Sequence, residues 1–521
     1  MAYQAIGYDK KNGIMHVWDD ELGHQKFPFQ PYGYLPNPTG QYQSLDGTKL
    51  DKVLGNHRDN PKSYESDLNE EVRTLIDLYY ESDEPSKGHR DFFFDIETAK
   101  DENGYSTIDD VRTAITSIAY YDKAGKDRRV LILDEQNRIK DQEIQGDGYT
   151  LEIFRDERDL LTRFINKFAE IQPTVITGWN TDGYDVPYLI GRCKKVLGAQ
   201  TVKKLSPAGI VEQSKSGKWK ILGVSSLDYL KLYKNFTYTE LPNYRLDTVA
   251  KTELGRGKVE YDGDLDTLFT QDIHKFAYYN MTDVDLVYEL DEKLQMLSLA
   301  RTICHKGHVP YEDVYYASKY LDGAAIVDLK RNGFVAPNKQ FRFIEEETMS
   351  DALEGAYVKA PVPGLYKWIY DLDLTSLYPS IIMTLNISPE TKIGVISNWN
   401  QECMMRDEPT HAIINGQSIA DIKSWLVENN YSIASNGTVY RNDQRGFLPT
   451  ILEKWFDERV IFKDKRDTYE VGTEEYKFYD ALQLTQKVLL NSFYGVLGLK
   501  TFRFHDLDNA GAITAVGQSI S

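Results

Sequence analysis

A multidomain protein that mixes α/β and α+β units is what this sequence predicts, on three observations. Its 521 residues exceed what one hydrophobic core organises, so three or four domains are expected. Strand-like and helix-like segments alternate from residue 90 to about 200, the pattern of a mixed sheet covered by helices. After about residue 345 the character changes to a strand with a turn, a polar punctuated stretch, and two long helices in succession.

Residues 1–89 mix short alternating stretches ("AIGYDKKNGIMHVWDD") with Pro, Gly and Asn, which predicts a β-rich N-terminal domain. The charged "ESDEPSKGHR" at 81–90 marks a boundary. In the unit 90–297, "DFFFDIETA", "AITSIAYYD" and "RRVLILDE" predict strands and "DLLTRFINKFAEI" an amphipathic helix. "PTVITGWN" predicts a further strand and "DVPYLIGRCKKVLG" a helix. "VEQSKSGKWKILG" (211–223) predicts a hairpin with a Ser-Gly turn. The run "DIHKFAYYNMTDVDLVYELDEKLQMLSLARTI" is apolar at helical spacing and predicts one long helix. Residues 298–344 are expected to return to the N-terminal domain. "YKWIYDLDLTSLYPSIIMTLNISPET" predicts a strand running into a turn and helix, and 397–444 is polar. "LPTILEKWFDERVIFKDKRD" and "YDALQLTQKVLLNSFYGVLG", joined by "TYEVGTEEYKF", predict an antiparallel helical hairpin.

Apolar residues make up 41% of the chain, enough for proper cores, and most of the 36 tyrosines are expected in core packing. The net charge of −19 argues against nucleic-acid binding only weakly, because carboxylates gathered around metal leave a basic groove untouched. Cys193, Cys304 and Cys403 form no CxxC pair and no zinc set, which fits a reducing compartment. No signal peptide is legible and no apolar run approaches a membrane span, so a cytoplasmic protein is expected.

The first chemical signal is acidic. Asp95 and Glu97 stand two apart on a strand and share a face. They repel unless a cation lies between them, or else they line a solvated edge. Asp185 stands at a turn before a helix, with Pro187 just inside it, and reads equally as a ligand or a helix cap. Tyr279 and Asp283 are i, i+4 on one helical face, the ordinary reading of which is solvated surface. Taken in order, D-x-E, N-x4-D after a strand and Y-x3-D on a helix resemble the three-part pattern of the DnaQ-like 3′→5′ exonucleases. The resemblance implies an RNase H-like fold and four carboxylates holding two divalent ions. It makes Tyr279 the group that orients the attacking water. Two such ions, about 4 Å apart, activate a water and stabilise the leaving oxygen. Mg²⁺ is expected, with Mn²⁺ acceptable to the same oxygen ligands.

The second signal is "DLDLTSLYPSII", which resembles motif A of the family B DNA polymerases. That match makes Asp373 the ligand of both catalytic metals, with the Leu374 backbone beside them. Ser376 and Leu377 then lie along a triphosphate and Tyr378 packs under the sugar. Asp371, two residues earlier, shares the strand face but not the motif position. On the hairpin, Arg459 and Lys463 are i, i+4, and Lys487, Asn491 and Tyr494 are i, i+4, i+7. Stripes of that kind suit a triphosphate, with Arg as a fork and Lys as a point charge, although Lys463 alone also reads as solvated surface. The family's K-x3-N-S-x-Y-G helix and the Arg of its partner bind the incoming nucleotide, and both are present here. "GAYVKAPVPGLY" (355–366) resembles the segment linking exonuclease and polymerase regions. The likeness is to T-even-like phage replicative polymerases, carried also by "SSLDYLKLYKNFTYTELPNYRLD", "GKVEYDGDL" and "FRFHDLDNAGAIT". It divides the chain into exonuclease 90–297, first palm segment 345–446, fingers 447–499 and a second palm segment from 500. The stretch between Arg459 and Lys487 is far shorter than in the family's best-known members, so compact fingers are expected, and the resemblance makes the 211–223 hairpin a device that passes the primer end between the two sites.

The D-T-D of the family's motif C is not found after Gln486. "HDLDNAG" (505–511) has two acids at that spacing but matches another segment. The expectation is therefore an N-terminal chain whose palm is incomplete. It would bind primer–template DNA and dNTPs, and would need a second polypeptide carrying motif C, the thumb and the sliding-clamp contact. If phage-encoded it acts in the host cytoplasm. A stand-alone exonuclease and a non-catalytic DNA-binding subunit are the alternatives.

Overall fold

The computed structural model describes residues 1–146, 148–214, 217–237, 239–339, 359–370, 373–374, 376–399 and 412–520. Asp371, Cys403, the tip 215–216 of the predicted hairpin and residues 355–358 of the linking segment lie outside the described residues. Contacts divide the chain into two compact units. The first is Met1–Phe29, Asp83–His305 and Val309–Tyr315; the second is Gln30–Ser82, Lys306–His308 and Tyr316–Ser521.

The first unit is built on a seven-stranded sheet. Its order is Glu143–Gln145, Thr150–Phe154, Asp127–Leu133, Ile115–Asp122, Asp91–Thr98, Val175–Thr177, Ser225–Ser226. Asp91–Thr98 lies inside the sheet, antiparallel to Ile115–Asp122 and parallel to Val175–Thr177. Strand side chains alternate between faces. Phe92, Phe94 and Ile96 accordingly join one core with helices Glu157–Ile171 and Asp185–Leu197. Phe93 points the other way and packs edge-on against Tyr288 of helix Ile273–Leu294, with ring centroids 5.6 Å apart. Asp95 and Glu97 share the parity of Phe93, so they face the helix that carries Tyr279 and Asp283. Asp156 starts the Glu157–Ile171 helix by accepting the Arg158 N–H at 2.6 Å.

The predicted single helix over 272–303 is two. Gln295 adopts a left-handed conformation (φ 52°), and a second helix runs Met296–Gly307. The buried Asp291 carboxylate accepts the Leu297 N–H at 3.0 Å, a side-chain bond that helical periodicity does not report. The 211–223 hairpin appears as Val211–Gln213 paired antiparallel with Trp219–Ile221.

Residues 1–89 divide between the units, unlike the single domain expected from their composition. Tyr3–Asp9, Ile14–Asp19 and Gly23–Pro28 form an antiparallel meander. The Tyr3 hydroxyl lies 2.8 and 2.7 Å from the Cys304 and Val309 carbonyls, which fastens the meander to the first unit. In the second unit, Tyr32–Pro36, Lys49–Leu54 and Tyr42–Ser44 make a sheet completed by Phe334–Val335. Both divisions depend on partners some 300 residues away in sequence, which composition cannot register.

Among the described residues the second unit's α-helices are Glu70–Tyr79, Ala317–Arg331, Leu377–Leu385, Ile422–Glu428, the hairpin pair Phe447–Arg466 and Glu474–Leu497, and Leu507–Ile520. Thr473 caps the second hairpin helix, and Lys463, Lys465 and Arg466 sit in the last turn of the first, where cations oppose the helix dipole. The polar 397–444 stretch contributes to a small module of its own, with Ile396, Ala412, Ile414, Ile422 and Val439 as its core. The strand expected to open "YKWIYDLDLTSLYPSIIMTLNISPET" is not formed over its described residues 366–370 and 373–374. Trp368 is 88% and Tyr370 84% exposed, and no described strand pairs with the segment. A strand's N–H and C=O groups need such a partner. Among the described residues no helix is long and apolar enough to cross a membrane.

Candidate functional site

The sheet and helix Ile273–Leu294 gather the acidic residues. Carboxylate oxygens of Asp95, Glu97 and Asp283 lie within 4.8 Å of one another. Asp185 enters from the start of its helix. It does not act as that helix's cap residue: Tyr184 holds the cap position, and an Asp185 oxygen accepts the Ile96 N–H at 3.1 Å. The bond ties it to the strand between Asp95 and Glu97. Burial raises the Asp95 carboxyl well above its ordinary range, and the charges of Asp185, Glu97 and Asp283 push the same way. Burial pushes Glu97 up to about 8, with Asp283 adding to it. Burial likewise pushes Asp185 up to about 7, and raises Asp283 although Lys258 opposes the shift.

Two side chains that the sequence reading passed over organise this cluster. Asn280 donates to Asp95 at 2.6 Å and accepts from the Ser117 hydroxyl at 2.7 Å, which fixes the Asp95 carboxylate's orientation. Asn280 follows Tyr279 directly and carried no spacing signal. Lys258 Nζ bonds an Asp283 oxygen and stands 3.0 Å from the Tyr279 hydroxyl. It belongs to "GKVEYDGDL", a segment that carries family likeness but no spacing that points to chemistry. The Tyr279 hydroxyl is pushed above its ordinary range by burial and by Asp283, so it stays protonated. Tyr261 packs edge-on against the Tyr279 ring at 5.3 Å. A cavity of about 560 Å³ opens beside them, lined by Lys251, Lys258, Tyr261 and Lys275 among others.

Four carboxylates with one lysine bonded into them leave excess negative charge in a buried place. The other oxygen of Asp283 is buried with no hydrogen-bond partner. Oxygen donors of this kind fit hard divalent cations, and neither His nor Cys belongs to the cluster.

The second set of residues is more open. Asp373 and Leu374 are exposed, and no strand of the described residues carries them. Ser376, in a left-handed conformation (φ 52°), precedes helix Leu377–Leu385. Tyr378 meets Tyr494 with ring centroids 4.4 Å apart and planes at 40°. A Cβ at Gly517 would stand 3.0 Å from the Tyr378 ring, so helix Leu507–Ile520 also lies against it. Arg459 and Lys463 lie on one hairpin helix, and Lys487, Asn491 and Tyr494 on the other. Asn491 and Lys463 are exposed, while Arg459 is half-buried with a buried Nε that has no partner among the described residues. The acids of "HDLDNAG" are engaged elsewhere. Lys392 Nζ lies 2.9 Å from both Asp506 oxygens and 2.6 Å from Asp508.

The family model described as "DNA polymerase family B" matches residues 318–520, and that described as "DNA polymerase family B, exonuclease domain" matches residues 61–249. The exonuclease match ends before Lys258, Tyr279 and Asp283. A DNA-directed DNA polymerase of Escherichia phage RB69 is 30% identical over 503 residues, covering 82% of this chain and 53% of that protein. One from Enterobacteria phage T4 is 32% identical over 422 residues, covering 70% of this chain and 45% of that protein. A DNA polymerase of Pyrococcus glycovorans is 26% identical over 375 residues, covering 71% and 44%. The chain spans about half the length of the curated relatives it matches.

Proposed function

This chain belongs to family B of the DNA polymerases and carries that family's exonuclease domain, and on that premise we propose that it removes nucleotides from the 3′ end of a primer and presents a face for the incoming dNTP. The convergence of Asp95, Glu97 and Asp283 within 4.8 Å carries the first part. We read the seven-stranded sheet as the RNase H-like fold of DnaQ-like exonucleases. We read the meander and the Tyr32–Leu54 sheet as the β-rich N-terminal part.

In this reading Asp95, Glu97, Asp185 and Asp283 hold two Mg²⁺ ions, with Mn²⁺ as a substitute. Bound there, the ions would supply an activated water and neutralise charge on the leaving 3′-oxygen. Asn280 keeps the Asp95 carboxylate turned to the site through its 2.6 Å bond. Lys258 holds the Tyr279 hydroxyl at 3.0 Å, and that hydroxyl orients the attacking water. Lys258 also offsets charge on Asp283.

For synthesis, Asp373 and the Leu374 backbone take the metal, and Ser376, Leu377 and Tyr378 line the nucleotide. Arg459, Lys463, Lys487, Asn491 and Tyr494 face its triphosphate and base. Contact between Tyr378 and Tyr494 at 4.4 Å supports a shared pocket. Nucleotide addition needs a second acidic strand beside Asp373, as in the family's further palm segment, supplied in cis or by a complementing chain. That segment would also carry the thumb and the sliding-clamp contact. The reactions would take place in the host cytoplasm.

A 5′-labelled primer on a longer template, incubated with the chain and Mg²⁺, tests both halves. Shortening that persists with all four dNTPs is the expected result. An unchanged primer refutes the hydrolytic reading, and a lengthened primer refutes the need for further palm residues. The carboxylates also predict a stability effect. A ligand that binds only the folded state at one hundred times its Kd stabilises by about 2.7 kcal/mol. Mn²⁺ should therefore raise the melting temperature and EDTA should reverse the rise. A melting temperature indifferent to metal would count against the site.

A further inference from the structure

The hairpin helices carry an ionic contact that the nucleotide reading does not use. Lys306 Nζ lies 2.9 Å from a Glu458 oxygen, and the Gln486 amide nitrogen donates to that same oxygen. Glu458 immediately precedes Arg459, and Gln486 immediately precedes Lys487. The Lys306 side chain is only 9% exposed and Gln486 only 3%. The other Gln486 amide atom, its oxygen, is buried without a hydrogen-bond partner, so the amide is oriented through its nitrogen. One turn earlier on the same face as Glu458, Lys454 pairs with Asp328 at 3.0 Å.

We propose that Lys306 is a positioning residue for nucleotide binding, holding the Glu458 oxygen of the first hairpin helix to which Gln486 of the second is also bonded. The inference rests on the reading of the hairpin as a dNTP-binding face. Apolar contacts between the helices, such as Trp455 on Phe493 at 5.9 Å, are non-directional and tolerate rotation about the helix axes. A charge-assisted bond to one oxygen does not. Successive helical residues are about 100° apart. Fixing Glu458 on Lys306, with Gln486 bonded to the same Glu458 oxygen, therefore fixes where Arg459 and Lys487 project. A buried ion pair is weak evidence for stability, because apolar residues of similar volume often replace it without loss. Orientation is what the charge adds here.

That difference separates positioning from support. The triple variant K306M/E458M/Q486M, which removes the three bonded partners together and orphans none of them, should keep the melting temperature and the exonuclease rate of the full chain. It should weaken Mg·dATP binding, read by isothermal titration without DNA, by about tenfold or more, the scale of one charged hydrogen bond. K306R should retain affinity. R459A/K487A, titrated alongside, tests the underlying reading. If R459A/K487A weakens binding and K306M/E458M/Q486M does not, the positioning role is overturned while the nucleotide face stands. If the unmodified chain binds no Mg·dATP, or R459A/K487A binds as tightly, the nucleotide face itself is overturned and the positioning role with it. A loss of affinity that accompanies a fallen melting temperature would assign Lys306 a structural role and overturn the proposal.

Discussion

Asp95→Ala lowers 3′→5′ hydrolysis by on the order of 10³-fold, since metal assistance contributes several kcal/mol and each 1.4 kcal/mol is a decade in rate. The same substitution should not weaken the fold. Asp95 is held among Asp185, Glu97 and Asp283, all of which push its carboxyl up along with burial. Removing one of these like charges relieves repulsion, so the metal-free melting temperature should hold or rise, and the increment given by Mn²⁺ should shrink. Lost activity with preserved or improved stability is the mark of residues arranged for chemistry at the expense of the fold. Hydrolysis at the unmodified rate would refute the site assignment. A large drop in melting temperature would mean that Asp95 serves the fold instead.

Arg503→Met is the change expected to harm the second unit most. The Arg503 side chain is fully buried, with Nε 3.1 Å from Asp322 and an Nη 2.8 Å from Asp67. It also donates to the Pro337 carbonyl. Burial by itself would raise the Asp67 carboxyl, and Arg503 together with the Lys339 N–H and charge holds it below the usual carboxylate range. Methionine leaves both acids buried, with Lys339 the remaining cation at 3.2 Å from Asp322. Breaking a buried pair from one side costs about 3–5 kcal/mol. The urea midpoint of the second unit's transition should fall accordingly, and exonuclease activity measured below that transition should persist. A loss under about 1 kcal/mol, the range of an exposed pair, would show that the triad is not a keystone of the unit.

Both experiments concern residues of different legibility. Asp95 and Glu97 could be found in the sequence because strand side chains repeat every two residues, and the apolar run around them marked a buried strand. Tyr279 and Asp283 were legible as an i, i+4 pair, and the hairpin as two amphipathic runs with a short joint. Asn280 and Lys258 were not, because nothing in the spacing around them separates a ligand-orienting amide or a bridging ammonium from ordinary polar surface. Nor did the pattern show the left-handed Gln295, whose setting includes the bond from Asp291 to Leu297. That Asp185 is not the cap of its helix follows only from the fold, in which Tyr184 holds the cap position and Asp185 bonds Ile96, 89 residues away in sequence.

Most local elements, though neither the break at Gln295 nor the unformed strand before Asp373, and the acidic and basic residue types proposed for the two sites can be read from the chain alone. Helix and strand periodicities follow from covalent geometry and can be read without knowing any partner. Only the tertiary structure decided which acids meet within 4.8 Å, that Lys258 joins them, and that Lys392 engages Asp506 and Asp508. It also decided that Met1–Phe29 and Gln30–Ser82 belong to different units. Those outcomes depend on packing between segments distant in sequence, where hydrogen bonds and charge pairs form only after the chain has closed the loops between them.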